Sequence, residues 1–244
     1  MHESMVIFRR ELKSFFFSPI AYVFGILFLV ALLYVASLFS LLNGARASTE
    51  TMFGMLPAML IVFVPALTMR LWAEERKLGT LELLMTFPVT IGQLVFGKFL
   101  ASLAFLGCVL LLTIGLPLTL GAYGKLDWAP VIGSYVASLL FAGSYVAVGM
   151  FWSSITREQI VAGLLAGASL LVLYLIGSAT AIEFMIDWLP AWLVDLLNGI
   201  SPYKYFESIA RGVLDTRDVI YFACFCGFFL YANVLVLQAR RQRG

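Results

Sequence analysis

Six apolar runs, separated by short polar intervals, set the pattern of the chain. They cover Pro19–Leu42, Thr51–Leu71, Phe99–Tyr123, Ala129–Trp152, Ile160–Ile182 and Val219–Leu237. Each reaches the roughly 20 residues that a helix needs to cross a bilayer. Arg70, at the edge of the second run, is the single ionisable residue within them. The pattern predicts six membrane-spanning helices.

The intervals carry patterns of their own. Ahead of the first run, residues 1–17 include MVIFRRELKSFFF, in which Phe8, Leu12, Phe15 and Phe16 recur on one helical face and Arg9, Arg10 and Lys13 fall largely elsewhere. That spacing predicts an amphipathic helix lying in the membrane interface. The following run is too long for the apolar part of a signal peptide, so it reads as a retained span despite the small residues at Ala45 and Ala47. Before the sixth run, residues 183–218 are broken by Pro190, Gly199, Pro202 and Gly212. They predict two short helices at one membrane face. Trp188, Trp192, Tyr203 and Tyr205 are aromatics of the kind that settle at headgroup depth. Two readings of this segment stay open: an interfacial cap, or a gate over a translocation path built on Pro202, Tyr203, Tyr205, Phe206 and Arg211.

Composition agrees with a bilayer as solvent. Hydrophobic residues make up 62% of the 244 and charged residues 12%, against about a half and a quarter in ordinary soluble domains; the mean hydropathy is +0.98. A net charge of +2 gives no global sign of nucleic-acid binding. Cys108, Cys224 and Cys226 lie inside apolar runs without metal-ligand spacing and read as small hydrophobes. With the N-terminus inside, 11 of the 16 Lys and Arg residues fall on the cytoplasmic side: Arg9, Arg10, Lys13, Arg70, Arg76, Lys77, Lys98, Arg157, Arg240, Arg241 and Arg243. The positive-inside rule therefore places both termini in the cytoplasm, as an even number of spans requires.

Between the second and third runs sits the densest charge in the chain, RLWAEERKLGTLELLMTFPVT. Burying five charges at helix centres would cost on the order of 15 kcal/mol on the insertion scale, so the segment stays out of the bilayer core. Leu78, Leu81, Leu84 and Met85 form an apolar stripe, and Pro88 stops the helix. The pattern predicts an amphipathic helix over residues 72–90 on the cytoplasmic surface. By itself it leaves two roles open, a solvated loop or a docking surface.

This stretch, MRLWAEERKLGTLELLMTFPVTIGQLVFGKFLA, resembles the signature of ABC-2-type permeases, the membrane subunits of ATP-driven exporters. The resembling positions are Glu74, Glu75, Arg76, Gly79, Thr80, Leu81, Glu82, Leu83, Leu84, Pro88, Gly97 and Lys98. FRRELKSFFFSPIAYVFGILFL and SIARGVLDTRDVIYF are similar to the gliding-associated branch, and the likeness runs through the chain in order. The resemblance implies that residues 74–88 form a coupling helix docked on a separate ATP-binding subunit through Glu74, Glu75, Arg76, Gly79, Thr80, Glu82 and Leu83. The short interval SSITREQ, with Arg157 and Glu158, is a second candidate contact or a plain turn. The resemblance further implies a second permease subunit, identical or paralogous, a membrane-anchored auxiliary protein, and ATP and magnesium held by the partner rather than by this chain.

Two other chemistries fail on the residues. Gly92 to Lys98 matches the first seven positions of a phosphate-binding loop, but Phe99 stands where a hydroxyl must hold magnesium. Membrane proteases and proton-coupled carriers need ionisable groups in mid-membrane, and the runs carry none there. The glycines Gly143, Gly149, Gly163 and Gly167 read as close-packing positions, and Pro57, Pro65 and Pro117 as sites of kinking inside spans. The expectation is one all-α membrane domain over residues 1–244. It has six transmembrane helices, an N-terminal interfacial helix, a cytoplasmic coupling helix between spans two and three, and an external helical hairpin before span six. Its expected function is that of a non-enzymatic permease subunit in the bacterial inner membrane. The alternative is a membrane scaffold or channel subunit.

Overall fold

The computed structural model describes residues 2–42, 49–80, 89–123, 126–211 and 215–241. Among them every regular element is a helix: α1 (His2–Phe17), α2 (Pro19–Leu42), α3 (Thr49–Thr68), α4 (Arg70–Lys77), α5 (Ile91–Leu112), α6 (Gly115–Tyr123), α7 (Trp128–Ile155), α8 (Gln159–Gly177), α9 (Ala179–Ile186), α10 (Ala191–Ile200), α11 (Pro202–Ala210) and α12 (Thr216–Arg241). Six stretches are long and apolar enough to cross a membrane: Ala21–Leu38, Thr49–Lys77, Ile91–Ala122, Trp128–Ile155, Gln159–Gly177 and Thr216–Arg240.

Helix α7 is the axis of the bundle. Residues 141–150 are buried without a break, which is possible because the run is rich in small side chains. At Gly149 the close approach is extreme: a Cβ there would lie 2.1 Å from Thr68 Oγ1 on α3. Gly163 and Gly167 of α8 do the same work more loosely, against Met69 and Pro65 of the second span. Small residues let helix backbones approach where lipid gives no hydrophobic drive to association.

Three spans depart from the lengths that hydropathy predicts. The second does not end at Leu71. Its helix is interrupted at Met69 and continues as α4 to Lys77, because Ala73, Glu74, Glu75, Arg76 and Lys77 are strong helix formers even where they are polar. The third begins at Ile91 rather than Phe99, capped by Thr90, whose Oγ1 accepts from Gln93 N while Gln93 Oε1 accepts from Thr90 N. It breaks at Thr113, four residues before Pro117, whose ring cannot fit over the carbonyl of the preceding turn. The fifth ends at Gly177, and Ser178 caps a new helix. Among the described residues of the segment before the sixth span, α10 and α11 are the two short helices, and α9, which begins within the fifth apolar run, reaches into it.

The single helix expected over residues 72–90 is also divided. Gly79 has φ +70°, a left-handed conformation that ends α4. Glu74, Glu75 and Arg76 therefore stand on the end of the second span, ahead of the break. Leu81, Glu82, Leu83, Leu84, Met85 and Pro88 lie outside the described residues.

Candidate functional site

One cluster of charges gathers at an end of the bundle, where α1 and α4 meet the start of α5 and the ends of α7 and α12. The buried face of α1 is Ile7, Glu11 and Phe15, at i, i+4 and i+8, one position away from the stripe of Phe8 and Leu12. Phe15 stacks on Phe105 of α5 at 5.3 Å between ring centroids. This seats Glu11 against the first turns of α5.

Lys98 of α5 is the centre of the arrangement. It is 2% exposed; its ammonium donates to Glu75 Oε1 at 2.7 Å, lies 3.2 Å from Glu11 Oε1, and sits 5.0 Å from the centre of the Trp72 ring. Arg10 Nη2 bonds Glu11 at 3.0 Å and lies 3.9 Å from Glu75. Two cations thus stand against two carboxylates, and the partners offset the cost of taking the ammonium out of water. Three helices that are remote in sequence are joined at this one lysine. The stretch Gly92 to Lys98 is helical throughout, so its lysine serves the ion cluster.

On the other side of α4, Ser153 of α7 bridges the interruption at Met69. Its Oγ accepts from both Trp72 N (3.1 Å) and Ala73 N (3.2 Å) and donates to Met69 O (2.9 Å). Buried backbone groups at such an interruption need a partner. Arg76 completes the joint. Its Nη1 donates to Ile155 O (3.1 Å) and Thr156 O (2.8 Å), and its Nη2 to Ser154 O (3.3 Å). Arg240 of α12 donates to Ile155 O at 2.7 Å. The guanidinium fork covers the carbonyls that α7 leaves open at its C-terminus, where positive charge is favoured.

The candidate docking residues therefore separate into two groups. Glu75 and Arg76 are engaged inside the chain. Glu74, Lys77, Leu78, Gly79 and Thr80 are exposed, as are Arg157 and Glu158 in the interval after α7. Lys77 and Glu158 lie 3.7 Å apart, so the two exposed stretches form one continuous face. Glu82 and Leu83 lie outside the described residues. Sequence reading missed Glu11 as a member of the cluster. Its signal was a lone carboxylate on the Ile7–Phe15 stripe, with Lys98 as the one charge about to enter the third apolar run.

At the opposite end, four of the five gate candidates pack together. Pro202 and Phe206 are buried; Phe206 lies 5.2 Å from Phe141 of α7, and Tyr203 meets Tyr174 of α8 edge-on at 5.0 Å. Ser201 Oγ donates to Leu173 O at 2.7 Å and accepts from Tyr203 N. Gly177 permits this, since a Cβ there would lie 2.1 Å from Ser201 Oγ. Tyr205 stacks on Tyr221 of α12 at 3.8 Å, and Tyr221 donates to Ile200 O. Arg211 stands apart, exposed and 3.7 Å from Glu207. Helix α11 is thus wedged among the middle of α7, the end of α8 and the start of α12.

A family model described as "ABC-2 family transporter protein" matches residues 5–218. No curated protein matches the chain closely.

Proposed function

The chain belongs to the ABC-2 transporter family and is a multi-pass membrane permease, and from that premise we propose that it is the transmembrane subunit of an ATP-driven exporter. ATP and magnesium are bound by a separate ATP-binding subunit, and this chain has no part in hydrolysis beyond receiving its movement. The observation that carries this reading is the build of the charged end. Glu74, Lys77, Leu78, Thr80, Arg157 and Glu158 offer an exposed face. Directly behind it, Lys98, Ser153 and Arg76 fasten α4 to α1, α5 and α7. A push on that face reaches four helices without passing through a flexible loop.

In this reading the charged end faces the cytoplasm of a bacterial inner membrane, with both termini on that side. Residues 74–88, beginning on α4 and continuing past Gly79, act as the coupling segment. Two permease chains pair to enclose the path, α11 gates it from the far side, and a membrane-anchored auxiliary protein of the kind used by the gliding-associated branch joins the complex.

Co-purification from detergent-solubilised membranes tests the reading. The unaltered chain brings down an ATP-binding subunit, and a Glu74→Arg, Glu158→Arg variant does not. Glu75 is left untouched because its charge holds the bundle together. If the unaltered chain brings down no ATP-binding subunit, the reading fails and the scaffold or channel alternative replaces it.

A further inference from the structure

Between α1, α4 and α5 lies a cavity of about 280 Å³, and its lining is unusual for this chain. Three cations, Arg10, Arg70 and Lys98, share it with three carboxylates, Glu11, Glu74 and Glu75. The formal charges cancel, yet the pairing is incomplete. Lys98 is occupied by Glu75 and Glu11. Arg70 makes one hydrogen bond, to Ser18 Oγ at 2.8 Å, and its guanidinium stands 5.4 Å from the Phe15 ring centre. A guanidinium has five N–H donors, so most of its capacity is unused among the described residues. Glu75 Oε2 is buried with no hydrogen-bond partner among them. Glu74 is exposed at the rim.

Position narrows the ligand. Ser18 directly precedes the first span, Arg70 ends the apolar part of the second, and Lys98 stands in the opening turns of the third. The cavity therefore sits where three apolar helices give way to polar chain, which is the depth of lipid headgroups. Phe15 and Leu71 form its apolar wall.

We propose that this cavity binds the headgroup of an aminophospholipid, with the phosphate on Arg70 and Arg10 and the primary ammonium on Glu75 and Glu74. The ligand is a zwitterion because the site offers unused donors and an unused acceptor side by side. It is a primary ammonium because a buried carboxylate oxygen needs an N–H, and the quaternary nitrogen of choline has none. A lipid seated there lies between α1 and α4, so the surrounding bilayer becomes part of the joint that Lys98 makes.

The test is native mass spectrometry of the full chain in mild detergent. It is exposed in turn to dioleoyl phosphatidylethanolamine, its N-methyl and N,N-dimethyl derivatives, dioleoyl phosphatidylcholine and dioleoyl phosphatidylglycerol. Retention falls stepwise with each methyl group, by about tenfold across the series, and phosphatidylglycerol is held no better than phosphatidylcholine. Soluble phosphoethanolamine displaces the lipid only in large excess. Two variants place the site: Glu74→Gln removes a rim carboxylate, and Ser14→Phe fills the cavity without touching a charge. Ser14→Phe erases the preference and Glu74→Gln weakens it, with Glu75 still in place, and both keep the melting temperature. Equal retention along the series, stronger retention of phosphatidylglycerol, or a preference that survives both substitutions overturns the proposal. So does displacement by phosphoethanolamine at equal concentration, which would reassign the cavity to a soluble ligand. A variant that does not fold leaves the methylation series on the unaltered chain to decide.

Discussion

Lys98 Nζ lies 2.7 Å from Glu75 Oε1, and this contact fastens the third span to the polar end of the second. The lysine is essentially removed from solvent, and its second carboxylate, Glu11, comes from the N-terminal helix. Lys98→Met leaves two carboxylates with only Arg10, a largely exposed cation, beside them. We expect it to lower stability by about 3 kcal/mol, as breaking one side of a buried pair does. Adding Glu11→Gln and Glu75→Gln returns most of the loss, because no carboxylate is then left without its buried partner and Arg10 keeps its charge in solvent. Unfolding midpoints in detergent, compared over the single and triple variants, measure this.

Ser153 and Ser154 are adjacent, both buried, and unequal. Ser153 serves three backbone groups across the interruption at Met69, whereas Ser154 only donates back to Phe151 O within its own helix. Ser153→Ala should cost about 2 kcal/mol, the penalty for buried N–H and C=O groups left unpaired. Ser154→Ala should cost well under half of that. Paired thermal melts of the two alanine variants check the inequality.

Glycine replacements separate close packing from mere occurrence. Gly149→Ala and Gly177→Ala each place a methyl 2.1 Å from a hydroxyl oxygen of a facing element. Each should lower stability by about 1–3 kcal/mol through forced separation of the helices. Gly54 and Gly227 have nothing within 4 Å of the same methyl. Alanine there leaves the melting point unchanged or raises it, since alanine is the better helix former. The four variants, expressed and melted side by side, give the comparison.

Arg76 spans three carbonyls at the end of α7 with two nitrogens. A lysine keeps the charge and loses the fork, so Arg76→Lys should cost about 1 kcal/mol in stability. Under the proposed function it should lower ATP-driven transport more than ATP hydrolysis, because an ATP-binding partner would still dock while its movement would be passed on less firmly. The ratio of the two rates, measured in proteoliposomes, is the readout.

The number of spans was legible because each is a long apolar run, and hydropathy needs no knowledge of partners. Pro19–Leu42 emerges with the bounds the pattern gives it. What hydropathy could not show is where polar residues continue a helix. Lys98 was read as the flank of a span because its charge is costly alone; Glu75 and Glu11, 23 and 87 residues away, remove that cost. Met69 gives no sign of an interruption, since the hydroxyl that bridges it comes from Ser153. The candidate site was legible as a patch of charge. Its division into a buried latch and an exposed face was not, because Glu74 and Glu75 are neighbours in sequence and differ only in what α1 and α5 bring beside them.

The most direct test asks what touches the exposed face. Leu78 is 68% exposed beside the charged cluster, and Val62, in the apolar part of the second span, is 67% exposed. A photo-reactive amino acid at each position, in cells expressing the whole complex, compares two equally open sites. The account predicts that position 78 crosslinks to an ATP-binding subunit and position 62 does not. No crosslink to such a subunit from position 78, with the altered chain folded and in the membrane, would contradict it.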